Sequence, residues 1–222
     1  MPAPKKFTEE KLRMTALAIV DDEGLPALTM RRLAEVLGTG AMTAYNYVDG
    51  RDGLEALIVG AVMAEVSLPG KPAKGWEDDV RTIATALWRT VRRHPNVIPL
   101  IINRRTDDPA TLAWAEVLLE ALARGGRSGF HLLVAFRVVS GFIVGFAQSE
   151  VAGLLKRSPA GPKDILDRLD AGSQGGHARL GEIASVGVPG DPEREFKAGL
   201  DIILAGLASA PARRAATARS TG

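Results

Sequence analysis

The residues whose types and spacing suggest chemistry fall between Thr29 and Arg51. Thr43, Tyr45, Asn46 and Tyr47 bring four hydrogen-bonding side chains close together, directly after Ala41 and Met42. Hydroxyl and amide groups in such a run can bond phosphate oxygens or base edges, and small apolar side chains can meet a thymine methyl. Arg31 is long enough to reach a guanine edge, while Thr29 and Arg51 suit the phosphate backbone. This is recognition chemistry rather than catalysis. The chain has no cysteine, which excludes disulfide scaffolds, thiolate metal sites and a cysteine nucleophile. His94, His131 and His177 have no metal-ligand spacing, and there is no GxSxG, P-loop or GxGxxG motif. Asp78-Asp79 and Asp107-Asp108 stand at expected helix starts, where carboxylates complement the helix dipole. His94, before Pro95, suits capping of helix-end carbonyls. No enzyme activity, metal or cofactor is expected.

Two short helices must position these groups. Leu28 to Gly38 reads as an amphipathic helix capped by Thr29, with Leu33, Ala34 and Leu37 as its buried stripe. Gly38 can take the positive φ that a tight turn requires. Thr39 to Val48 forms a second short helix, with Ala44 and Val48 on its apolar back. Two short helices across a glycine turn make a helix-turn-helix, whose second helix enters the DNA major groove. The bland alternative is a helical hairpin with its tyrosines in the core. Bulk charge does not support DNA binding. The whole chain carries 28 Lys+Arg against 26 Asp+Glu, a net +2. Residues 1–66 hold seven basic and ten acidic side chains, a net −3. The basic residues nonetheless group: Lys5 and Lys6 on the arm, Arg31 and Arg32 on one helix, Arg51 after the next.

The remaining sequence is helical in pattern. Leu12, Ala16, Ile19 and Val20 repeat at helical spacing, as do Leu54, Leu57, Ile58, Ala61 and Val62, and Val80, Ile83, Ala84, Leu87, Trp88 and Val91. No alternating run competes, so the fold class is all-α. Thr8 suits an N-cap, and Gly24 with Pro26 ends the first helix. The Leu68-Pro69-Gly70-Lys71-Pro72 break separates a helix-turn-helix unit over 1–66 from a larger helical unit over 67–210. Ser158 to Asp191 reads as a long Gly/Pro-rich connection, and 211–222 as a disordered tail. Phe130 to Ala147 is the most apolar stretch. Its longest uncharged piece, Val138 to Ser149, is short of the about 20 residues needed to span a bilayer, so a buried or partner-facing helix is expected, with no membrane partner. The N-terminus lacks an apolar signal core, and a cytoplasmic protein is expected.

With these residues in view, the chain resembles the tetracycline-repressor (TetR) family of transcriptional regulators. Leu28-Thr29-Met30-Arg31-Arg32-Leu33-Ala34 resembles the start of the family's second helix. Thr43-Ala44-Tyr45-Asn46-Tyr47-Val48, with Arg51 and Leu54 after it, is similar to the family's recognition helix and the start of its next helix. The family often has leucine before the tyrosine and an aromatic plus His-Phe after it, where this chain has Ala44 and Asn46-Tyr47-Val48. Trp76 with Asp78, Gly141-Phe142-Ile143-Val144-Gly145, and Phe196, Gly199, Leu200 and Gly206-Leu207 resemble the tetracycline repressor's own C-terminal subclass.

The resemblance implies a homodimer joined by a four-helix bundle, here Phe130 to Val151 and Glu193 to Ala208. It also implies a palindromic operator and repression relieved by a small-molecule effector bound within 67–210. The positions that would hold a magnesium–tetracycline chelate fall near Ile101, Gly141 and Ser149, with Glu150 off register. These offer little to a hard cation, so that ligand is not expected. The same resemblance places Ile83, Leu87, Arg105, Val117 and Phe136 in the pocket, implying a hydrophobic effector with a polar or anionic group. A helical small-molecule binding protein without regulatory DNA binding is the alternative, and an α-helical enzyme the third.

Overall fold

The structure is a computed structural model that describes residues 8–45, 47–103, 107–151, 179, 182–183 and 191–209. The arm lysines Lys5 and Lys6, Asn46, Arg105, most of the Ser158–Asp191 connection and the 211–222 tail lie outside the described residues. Every regular element among the described residues is helical, as the periodicity requires.

Helix α1 spans Glu9–Glu23 and starts at Thr8, whose hydroxyl accepts from the Lys11 amide at 3.2 Å. It ends at Gly24, with Pro26 in the single 3-10 turn beyond. Helix α2 (Met30–Val36) is capped by the Thr29 hydroxyl, which accepts from the Arg32 amide at 3.1 Å. Helix α3 covers Ala41–Tyr45 and α4 covers Gly50–Ala64. Helix α1 packs along α4 and touches α2, and Leu12, Ala16, Val20, Leu33, Leu54 and Ile58 are all buried.

The second half comprises α5 (Trp76–Arg93), α6 (Ile98–Asn103), α7 (Pro109–Arg124), α8 (Gly129–Val151) and α9 (Pro192–Ser209). Helix α5 lies at the centre, against α4, α7, α8 and α9. Its fully buried Trp88 stacks on Phe196 of α9, with centroids 4.6 Å apart, and meets Phe146 of α8 edge-on at 6.2 Å. A buried indole still needs an acceptor, and the Trp88 N–H donates to Glu150 at 2.8 Å. Residues of α1, α4, α5, α7, α8 and α9 join one continuous apolar cluster, so the Pro69–Pro72 break does not interrupt the core.

Helix α8 is longer and more apolar than its uncharged run suggests. Its apolar window has mean hydropathy 1.9, long and apolar enough to cross a membrane by length and composition. The uncharged run alone understates it, because Arg137 ends that run without breaking the helix. Within one chain only one face is covered: Ala135, Val139, Ile143 and Ala147, four residues apart, are buried. Phe130, Leu133, Val134 and Val138 remain exposed, as does Ile202 of α9. A contiguous apolar face on paired helices is a partner surface, as the partner-facing reading expects.

Candidate nucleic-acid interface and effector cavity

The turn between α2 and α3 is built as its sequence requires. Leu33, Ala34 and Leu37 are buried. Gly38 adopts φ 64°, a conformation side chains with a Cβ rarely take. The Thr39 amide returns to the Ala34 carbonyl at 2.9 Å, and the Thr43 amide to Gly40 at 2.9 Å. Val48 is buried behind α3. On the front, Met42 and Tyr45 are exposed by 77% and 51%, and Thr43 is half-exposed. An exposed Tyr45 is inconsistent with a hairpin that buries both tyrosines. Tyr47 differs from its neighbour, being half-buried and packed on the core.

The basic residues divide by their commitments. Arg32 holds Glu23 through Nε at 3.0 Å and Nη2 at 2.7 Å, and Glu35 at 3.3 Å. These bonds, the Glu23 one foremost, raise its pKa above the ordinary value. Arg51 pairs through its Nε with Glu55 at 2.7 Å, which leaves its two Nη groups as donors. Arg31 is exposed and joins no ion pair among the described residues. Thr29 is exposed; its oxygen accepts the capping bond, and its O–H remains a donor. Of Ala41 only the backbone is described.

In the second half, the described residues among those expected to line a pocket fall in different places. Ile83 and Val117 border a cavity of about 190 Å³, with Asp79, Glu120, Ala121, Arg124 and the Pro69–Pro72 segment. Leu87 lies in the core instead, and Phe136 tilts against Trp114 at 6.2 Å. The lining is also more charged than expected. Asp79 is 3% exposed. Its Oδ1 accepts from the Ala73 amide at 2.8 Å, and its Oδ2 forms an ion pair with Arg124. Arg124 in turn donates to the Ala73 carbonyl at 3.3 Å. Asp79 is thus buried against Arg124 in the first turn of α5, while Asp108 caps α7 by accepting from the Ala110 amide at 2.9 Å. Spacing along the chain gives no signal for the Asp79–Arg124 pair, which tertiary packing creates. Around the chelate positions, the Ser149 hydroxyl donates to the Gly145 carbonyl at 2.9 Å. Glu150 is occupied by Trp88 and by Arg92 at 3.1 Å.

The two halves meet at His94. Its place before Pro95 suits carbonyl capping, but its ring instead bridges two carboxylates: Nδ1 stands 2.8 Å from Asp21 of α1, and Nε2 3.1 Å from Glu65 at the end of α4. Arg93 also bonds Glu65 at 2.8 Å. Burial raises the pKa of Glu65, but the hydrogen bonds from Arg93 and His94 outweigh it and hold the carboxyl below its ordinary value. Asn96 donates to the Val20 carbonyl at 2.9 Å, and so closes the end of α1. Further along α4, Gly60 faces Asp108; a Cβ there would stand 2.7 Å from the Asp108 Cγ.

Comparison with known proteins places these features in context. The family model for the tetracyclin repressor-like C-terminal domain matches residues 68–210. An HTH-type transcriptional regulator of Saccharopolyspora erythraea is 28% identical over 203 residues, covering 91% of this chain and 85% of that protein. The class D tetracycline repressor protein of Escherichia coli is 25% identical over 206 residues, covering 91% and 89%. Among solved structures, apo ActR of Streptomyces coelicolor superposes with a TM-score of 0.77 at 29% identity, covering 93% of this chain and 97% of that one. ActR in complex with actinorhodin superposes with a TM-score of 0.76, covering 92% and 96%.

Proposed function

The chain belongs to the tetracycline-repressor family and is a ligand-responsive DNA-binding transcriptional regulator, and we propose that as a homodimer it occupies a palindromic operator and leaves it when a small molecule fills its C-terminal half. In this reading residues 1–66 read DNA and 67–210 sense the effector and dimerise. Arg31, Ala41, Met42 and Thr43 meet base edges. Thr29, Tyr45, Asn46, Tyr47 and Arg51 hold the phosphate backbone, with Tyr47 fixed partly by its own packing. The protein acts in the cytoplasm, without a cofactor and without turnover. The observation that carries this is the front of α3: Met42 and Tyr45 stand exposed, with Val48 buried after the helix and Arg31 in no ion pair among the described residues. Solvent-facing tyrosine and methionine on a short helix have no packing role and suit a groove.

Release follows from geometry. Two recognition helices must lie about 34 Å apart to enter successive major grooves. Helix α4 connects the DNA-reading helices to the sensing half, and its end is held by Arg93 and His94. A ligand that moves α4 changes the separation, provided it binds the two states unequally. That the similar ActR takes actinorhodin supports a small-molecule effector for this chain. The test is a fluorescence-anisotropy titration of the purified protein with its own upstream DNA across a salt series. Steeply salt-dependent binding is expected. Absence of any DNA binding favours the helical binding protein; a pocket ligand bound equally with and without operator refutes the release mechanism.

A further inference from the structure

The cavity between α5 and α7 is lined by charges of both signs. Three ionised side chains line it: Asp79 and Glu120 against Arg124, a net of −1. Asp79 is buried, and Arg124 is the cation that stands against its Oδ2. Arg124 has 38% of its side chain exposed, against 4% for Asp79. The two partners are therefore not equally replaceable. A carboxylate ligand that drew Arg124 away would strand a buried anion, which is heavily penalised. A cationic ligand that displaced Arg124 would leave the arginine in water and Asp79 still paired.

We propose that this cavity is a subsite for a small ring-bearing amine, whose ammonium group replaces Arg124 on Asp79. The proposal rests on the reading of the C-terminal half as a sensor, and names the chemistry it senses. Ile83, Val117, Ala121, Pro69 and Pro72 supply apolar walls for the ring. The size agrees: a dry cavity of about 150 Å³ takes up benzene, and this one is about 190 Å³. Glu120, one turn before Arg124 on α7, adds a second carboxylate at the rim. The site also has a mechanical outlet. Asp79 and Arg124 both grip Ala73 in the segment that leads from α4 to α5. An amine that frees Arg124 removes one of those two bonds.

The test is calorimetry on the full-length protein with benzylamine, benzyl alcohol and benzoate, three probes of similar size and different charge. Benzylamine is expected to bind at least roughly tenfold more tightly than either other probe, the scale of a hydrogen-bonded charge. Arg124→Gln should retain or tighten amine binding. Glu120→Gln should weaken it about two- to fivefold, as expected for a rim charge. Asp79→Asn should abolish the preference for amine over alcohol; if that variant does not fold, the other two decide. Benzoate binding more tightly than benzylamine and vanishing in Arg124→Gln overturns the proposal, and so does failure of benzylamine to bind. Amine binding that leaves operator affinity unchanged upholds the subsite and refutes its part in release. Release by another ligand, without amine binding, refutes the subsite alone.

Discussion

Arg31 and Arg32 are neighbours in sequence, yet they should behave oppositely when removed. Arg32 is spent inside the chain on Glu23 and Glu35, whereas Arg31 joins no ion pair among the described residues. In a homodimer each substitution acts at both half-sites. If each Arg31 reads a guanine, its loss costs about 1–3 kcal/mol per half-site. The dimer then loses about 2–6 kcal/mol, or at least about thirtyfold in operator affinity. If Arg31 instead neutralises phosphates, the slope of log affinity against log salt falls by about 0.9 per contact, or about 1.8 per dimer. Anisotropy titrations of Arg31→Ala at several salt concentrations separate the cases, because base readout changes affinity more than slope. Arg32→Ala should leave affinity and slope near those of the parent and lower the melting temperature slightly, since exposed ion pairs contribute little. Circular dichroism establishes that both variants are folded. Operator affinity within twofold of the parent for Arg31→Ala refutes the assignment. So does an Arg32→Ala variant that binds as weakly as Arg31→Ala.

The junction yields a second expectation: His94→Ala removes two charge-assisted contacts at a largely buried ring and should cost roughly 2 kcal/mol after allowance for its partly exposed partners, seen in calorimetry as a fall of about 4–8 °C. Glu65 is held below its ordinary carboxyl value of 4.5, so its stabilisation is complete above that value and is lost as pH falls through the lowered one; Glu65→Gln should therefore flatten the acid limb of melting temperature against pH, and an unchanged limb counts against the assignment. Gly60→Ala places a Cβ against Asp108 and should destabilise by about 1–3 kcal/mol, measured by urea unfolding. Ile202→Arg puts a charge on the exposed apolar face; sedimentation should report monomers, with operator affinity lost alongside, while a dimeric variant would remove α9 from the interface.

What the sequence makes legible is local. The Thr8 and Thr29 caps, the buried stripe of α2 and the positive φ of Gly38 all arise within a few residues of chain, and each appears as expected. Helical spacing likewise identifies Trp88 and Val91 as core. What escapes it is made by packing between distant segments. His94 does stand at a helix end, but its partners lie 73 and 29 residues away. Asp79 does stand in the first turn of α5, but the pattern gives no sign that α7 brings Arg124 over it beside the Pro69–Pro72 segment. The family resemblance puts Leu87 and Phe136 in the pocket, but helix rotation decides whether an apolar residue faces a cavity or its neighbours. Here Leu87 is core, and Phe136 meets Trp114.

The continuous core constrains how any ligand signal travels. Two halves with separate cores could swing about the Leu68–Pro72 segment as a free hinge, and a ligand would have little purchase on the recognition helices. Here Val59, Val62 and Met63 of α4 are buried in the same cluster as Val97, Ile98 and Leu118 of the second half. Close-packed interfaces resist gradual deformation and move between discrete arrangements. The Gly60–Asp108 approach, the His94 bridge and the Arg93–Glu65 bond are three places where such a step must alter a specific contact. Two of them converge on Glu65, one residue beyond the end of α4. Leverage argues that this end matters most. Helix α3 precedes α4 in the chain, so the end of α4 at Glu65 is where the release mechanism proposed above would act. In that mechanism the contacts of Glu65 with Arg93 and His94 are the first an effector must change.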